Sequence, residues 1–195
     1  MYSDARARQL DQHPSQIEPR GAVVLDSRAP RAQLMGLPPG PAGTVATLKI
    51  MKKLARAAIR DPNQIARAQA FKIFDMAGLK SRQWVPEIQA LQRFVQNNIV
   101  YTRDPVNLEL VQSPEVTLKL RRGDCDDQAT LLGAMLEAAG HPAKFVAVGV
   151  NGGPFSHVLV ETKAGAGWLA AETILKKPLG WYPPDATSRY ELQLS

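Results

Sequence analysis

Cysteine occurs once in these 195 residues. An internal disulfide is therefore excluded, and with it the stapled extracellular scaffold of short cysteine-rich chains. Histidine occurs three times, as His13, His141 and His157. One cysteine and three scattered histidines lack the ligand spacing of a zinc site. No stretch approaches 18 consecutive apolar residues, so no membrane-spanning helix is expected. Met1-Tyr2-Ser3-Asp4-Ala5-Arg6 leads into no apolar signal core, which makes a cytoplasmic location the expectation. Aromatic residues make up only 6%. With so few rings for stacking and no reading motif, a nucleic-acid-binding module is the least favoured class.

Acidic residues are scarce in one region. Residues 1–60 hold ten Lys/Arg against four Asp/Glu, whereas residues 61–195 hold fourteen of each. The whole formal charge of +6 thus sits at the front. Such a segment suits an anionic partner, self-association or attachment to a larger assembly. The plainer reading is a solubilising tail and a solvated helix face.

Along the chain, residues 1–43 carry six of the 15 prolines and read as an extended, flexible arm. Within it, Val23-Val24-Leu25 is the one apolar patch able to add a strand. Residues 44–195 read as one domain. In its helical front end (44–98), a first helix begins near Thr44, with Val45, Leu48, Met51 and Ala55 on its apolar side and Lys49, Lys52, Lys53, Arg56 and Arg60 opposite. A second begins at Asp61-Pro62, with Asp61 as cap and Gln64 closing a capping box, and Gly78 ends it. A third spans Val85 to Asn98. In the core (99–175), Ser113-Pro114-Glu115 opens a short helix. The run Cys125 to Ala139 is apolar enough to be surrounded, with Asp124 as cap and Asp127 at the capping-box position. Gly140-His141-Pro142 stops it. The period then changes to that of strands at 145–150, 156–161 and 168–172. Residues 176–195 wrap the sheet. Helices followed by an antiparallel sheet make an α+β fold.

The chemistry points to Cys125, His157 and Glu172. A thiol in the first turn of a helix faces unpaired N–H groups and the positive end of the dipole, which favours thiolate. Asp124, Asp126 and Asp127 oppose this if they face the sulfur, and Arg121 and Arg122 are near enough in sequence to neutralise them. With Thr162 opposite Gly167, His157 lies opposite Glu172, whose carboxylate then fixes the imidazole tautomer and leaves the other ring nitrogen within about 4 Å of Cys125 Sγ. The Cys125 N–H would supply part of an oxyanion hole. Each residue also has a structural reading: a lone cysteine as a small buried hydrophobe, His157 as a strand residue, Glu172 as a surface carboxylate and His141 as a helix cap.

Gly123-Asp124-Cys125-Asp126-Asp127-Gln128-Ala129, Leu131-Leu132, His157-Val158-Leu159-Val160-Glu161 and Gly167-Trp168 together resemble the transglutaminase-like superfamily, over residues 86–175. The resemblance implies a papain-like core, with Cys125 opening the central helix that packs on the antiparallel sheet, and His157 starting a strand. It also implies an acid one strand later, where Glu172 replaces the usual aspartate. Its members cleave proteins, cross-link glutamine to amines or act on peptidoglycan-linked peptides, and some are inactive. Prophage-encoded proteins of this layout are similar overall, with the location then virion-associated. Some relatives hold calcium through acidic neighbours of the cysteine. Asp124 and Asp126 alone fall short of the six to eight oxygens calcium takes, so no cofactor is expected.

The leading function is therefore a thiol hydrolase or acyl transferase acting on peptide or side-chain amides. The alternative is an inactive structural or interaction protein, such as a component of a phage-like particle. An open cleft exposing Sγ favours the first, and a sealed sulfur without a histidine contact the second.

Overall fold

In the computed structural model, residues 32–35, 40–104 and 109–195 are described. His13 and Val23-Val24-Leu25 lie outside these residues. The elements are β1 (Ala32–Met35), α1 (Pro41–Arg60), α2 (Ile65–Met76), α3 (Trp84–Asn98), β2 (Val100–Tyr101), β3 (Glu109–Gln112), α4 (Pro114–Leu120), β4 (Arg122–Gly123), α5 (Cys125–Ala138), β5 (Ala143–Val150), β6 (Phe155–Ala164), β7 (Gly167–Ala171) and β8 (Ala186–Gln193). The main sheet is antiparallel, in the order β7-β6-β5-β8. Two small sheets join β1 to β3 and β2 to β4.

The α+β layout expected from the sequence is the one observed. α5 is buried along nearly its whole length, with α1, α2 and α3 on one side and the inner face of the sheet on the other. Leu131, Leu132, Met135 and Leu136 of α5 share one core with Leu48 and Met51 of α1, Ile88 and Leu91 of α3, and Phe145, Val158 and Val160 of the sheet. A smaller cluster of Val146, Val148, Leu159 and Ala170 covers the outer face. Gly133 of α5 packs directly against the sheet, where an added Cβ would lie 2.9 Å from Phe145 Cε1. A side chain there would push α5 off the sheet.

Several boundaries differ from the sequence expectation, each for a local reason. α1 starts at Pro41, not Thr44, because proline fits the first helical turn. β1 lies inside the segment expected to be a free arm and is tied to β3 by backbone pairing. Asp61 caps a turn rather than a helix: its Oδ1 accepts from Asn63 N (2.7 Å) and its carbonyl from Gln64 N (2.8 Å). Gln64 is left-handed, at φ 51°, and delays α2 to Ile65. The C-terminal wrap contains a strand, β8, which completes the sheet beside β5. Its side chains are mostly exposed, so the apolar alternation that reveals half-buried strands is missing.

The hairpin register is also corrected. Thr162 faces Leu169, not Gly167. The link is a two-residue turn, with Ala164 facing Gly167 and Gly165 at φ 64°, a value the first position of such a turn demands. The longer link assumed from the sequence displaced the pairing by two residues. An even displacement preserves which face each side chain occupies.

Candidate active site

Cys125 is the first residue of α5, directly after the Asp124 cap. Both halves of the expected capping box form. Asp124 Oδ1 accepts from Asp126 N (3.1 Å) and Asp127 N (3.2 Å), and Asp127 Oδ2 accepts from Asp124 N (3.3 Å). Asp127 also anchors β3: its Oδ1 accepts from Gln112 N (2.7 Å) and its Oδ2 from Gln112 Nε2 (2.6 Å). The turn that presents the cysteine is thereby fixed from two directions.

Cys125 is partly exposed and lines a cavity of about 330 Å³. Gly43 and Thr44 of α1, Asp126, Ser156 and His157 line the same cavity. Sγ donates to Asp126 Oδ1 at 3.5 Å. Sγ and the His157 ring line one cavity, and one polar contact made by Sγ is this one with Asp126. Burial pushes the thiol well above its ordinary range, as do the charges of Asp126 and Asp124; the Val158 backbone N–H pulls the other way. The expectation of a depressed thiol pKa is thus reversed in the resting site. Arg121, one of the two arginines expected to offset these charges, stacks over the Phe94 ring at 5.3 Å.

His157 and Glu172 do meet. His157 Nε2 lies 2.7 Å from Glu172 Oε2. Glu172 is fully buried, whereas the His157 side chain keeps 23% exposure. The other carboxylate oxygen, Oε1, accepts from Ile174 N (2.8 Å) and Leu175 N (3.0 Å). Burial pushes the Glu172 carboxyl up, but the hydrogen bond and charge of His157, with the two N–H groups, hold it below the usual carboxylate range. It is therefore ionised at neutral pH. The extra methylene of glutamate is taken up by folding the carboxylate into the loop that follows it.

Two residues that hold the loop after Glu172 were not legible in the sequence. Gln92 and Gln96, one turn apart on α3, donate their side-chain N–H groups to the Glu172 carbonyl at 3.1 and 2.9 Å. Both also reach Lys177 O, and Gln96 reaches Leu175 O. The loop bearing the acid is thus clamped to the helical front end. Polar residues at i and i+4 beside the apolar stripe Ile88, Leu91 and Val95 are the only signal they leave. His141 is elsewhere: it is buried, with Nε2 2.9 Å from Glu87 Oε2, and so has a structural role. Glu161 belongs to a separate cluster with Lys144 and Arg189.

The carboxylates around Cys125 do not fit calcium. Asp124 Oδ1 serves the cap, Asp126 Oδ1 the thiol and Asp127 the Gln112 amide. Among the described residues, no three His, Cys, Asp or Glu side chains converge as a metal-holding group. No described helix is long and apolar enough to cross a membrane.

Comparison with known structures agrees with this architecture. Legionella pneumophila LapG in its calcium-bound form superimposes with a TM-score of 0.51 at 18% identity, over 72% of this chain and 80% of LapG. A candidate protease of Parabacteroides distasonis gives a TM-score of 0.51 at 18% identity, over 68% of this chain and 26% of the other. At such identities the likeness is one of fold. In sequence, the coiled-coil domain-containing protein lobo of Drosophila melanogaster is 40% identical over 67 residues, 33% of this chain and 8% of lobo. The chain therefore spans about a quarter of the Parabacteroides protein and under a tenth of lobo. The transglutaminase-like superfamily pattern matches residues 72–173, a little over half of the chain, from α2 through the strand that delivers Glu172. With a cysteine opening the central helix and a histidine entering the adjoining strand, the chain belongs to the transglutaminase-like superfamily.

Proposed function

We propose that this protein is a thiol-dependent hydrolase or acyl transferase acting on peptide or side-chain amide bonds, with protease-like hydrolysis as the main outcome. The observation that carries the reading is the 2.7 Å pair of His157 Nε2 and buried, ionised Glu172, whose imidazole lines the same cavity as Cys125. In this reading the thiol is neutral at rest. His157, held in one tautomer by Glu172, takes the Sγ proton through Nδ1 as the sulfur attacks the carbonyl carbon. The tetrahedral oxyanion is met by the Cys125 N–H, one of the unpaired donors of a helix start. His157 then gives its proton to the departing amine, leaving an acyl-thioester. Water, activated by the same imidazole, releases the acid and restores the thiol; an amine in place of water gives transamidation. A protein or peptide substrate in the cytoplasm belongs to the same proposal.

A second reading, a catalytically weak or inactive structural protein of a larger particle, is favoured by one observation: Sγ donates to the Asp126 carboxylate, which raises the thiol pKa. An activated ester separates the two without knowledge of the natural substrate. The protein is incubated with a p-nitrophenyl acyl ester and followed by intact mass. The enzyme reading expects an acyl adduct on Cys125 that decays in water and transfers to an added primary amine. An adduct that forms no faster than on a free thiol and does not turn over would establish the structural reading.

A further inference from the structure

We propose that the outer face of α1, with the hollow at the start of α2, binds a single strand of nucleic acid. The 20 residues of α1 include Lys49, Lys52, Lys53, Arg56 and Arg60 and no Asp or Glu. Lys52 donates to Gln193 O. The other four make no ion pair among the described residues; Lys49, Lys53 and Arg60 are exposed and Arg56 is half-buried. By contrast, Lys144 and Arg189 on the sheet are each held by Glu161 and Glu191. Positions 49, 53, 56 and 60 fall on one side of the helix, turned away from buried Leu48, Met51, Leu54 and Ala55. They form a ridge about 16 Å long at 1.5 Å per residue.

Just beyond Arg60 lies a hollow of about 360 Å³ lined by Pro62, Asn63, Gln64, Arg67, Ala68 and Phe71. The Arg67 guanidinium sits 4.7 Å from the centroid of the Phe71 ring, which is 47% exposed. α2 begins there without a side-chain cap, which leaves the first N–H groups of the helix without a capping acceptor. Protein surfaces interleave charges of both signs, and α1 offers no carboxylate to receive a partner's cations. The ridge fits a uniformly anionic polymer. Arg67, which also donates to Ala138 O at 3.0 Å, covers one face of the ring, and Phe74 meets it edge-on; the exposed remainder gives a base apolar area to stack on, which a polymer of carboxylates would not use. Aromatics are few in the sequence, but one stands at the end of the ridge. This surface is separate from the Cys125 cavity, which opens on the buried side of α1.

The test is fluorescence anisotropy of the full chain with a labelled oligo-dT strand, titrated against salt. Four ridge contacts at about 0.7 each predict a log–log slope of at least about −3 in magnitude. The Lys49→Gln/Lys53→Gln double variant should reduce that magnitude by about 1.4. Phe71→Ala should weaken oligo-dT binding about tenfold while leaving binding of inorganic polyphosphate unchanged. All substitutions are at the surface, and circular dichroism verifies folding. An unchanged affinity and slope in the double variant, a silent Phe71→Ala, or equal competition by poly-glutamate would each overturn the proposal.

Discussion

His157 and Glu172 form a 2.7 Å contact although they are not opposite each other in the hairpin. The pairing of Val160 with Ala171 puts Glu172 beyond the end of β7, and its side chain reaches back to the imidazole. Glu172→Gln should therefore keep the fold and slow acylation of Cys125 by about 10²-fold to 10⁴-fold, as loss of the orienting acid does in serine triads. Glu172→Asp should also be impaired. A carboxylate one methylene shorter cannot hold His157 while accepting from Ile174 N and Leu175 N. Acylation rates of the two variants check this, and full activity in either moves the orienting role elsewhere.

Glu172 also affects acid stability. Its folded pKa is depressed, so its contribution is present above the ordinary carboxylate range and lost as pH falls through the lower folded value. Glu172→Gln should flatten the acid limb of the stability curve, measured by urea midpoints. A limb of unchanged steepness would contradict the assignment.

The clamp from α3 predicts a graded effect. Gln96→Leu removes the two side-chain N–H donors that reach three carbonyls of the 172–177 loop but touches no reacting atom. It should slow acylation less than Glu172→Gln does, with the rate–pH profile broadened or shifted because the imidazole is less well held. A loss of stability with an unaltered rate and profile would make Gln96 a packing residue only.

Asp126 is predicted to hold the thiol back. With burial first and Asp126 next among the causes that raise the Cys125 pKa, iodoacetamide labelling should rise with pH to a midpoint above the ordinary thiol value of about 9. Asp126→Asn should move that midpoint down and speed labelling at neutral pH. A wild-type midpoint below the ordinary value would contradict the resting state described above.

Asp127 gives the opposite pH signature to Glu172. Its carboxyl is pushed up to about 8, by burial first and the Asp124 charge second, against N–H donors from Gln112 and Asp124. The folded state holds this proton more tightly than the unfolded chain. Its contribution is thus full below the unfolded value of 3.8 and declines as pH rises through about 8. Asp127→Asn removes the titration, so its urea midpoint should change less than wild type between about pH 5 and about pH 8.5. Parallel curves would show that Asp127 is not the titrating group.

What could be read in advance was local. The Asp124–Asp127 box, the Gly140 stop and the change of period at residue 143 are written in adjacent residues, and they place Cys125 at a helix start and His157 on a strand. What could not be read depended on contacts distant in sequence or on the geometry of one turn. Gly165 closes a two-residue link, and this shifts the register by two. β8 is an edge strand whose outward side chains carry no apolar alternation. Gln92 and Gln96 acquire meaning only because the 172–177 loop folds against them. Asp126 is legible as a threat to the thiolate, but its contact with Sγ is set by how the helix start folds.

The most direct test of the central claim, that His157 activates Cys125, is the rate of acyl-Cys125 formation from a p-nitrophenyl ester at neutral pH in wild type and His157→Ala. Intact mass reports the adduct, and circular dichroism confirms that the variant folds. General-base assistance predicts a fall of about 10²-fold to 10⁴-fold in the variant. Equal rates would contradict it and leave Cys125 as an ordinary thiol on a transglutaminase-like scaffold.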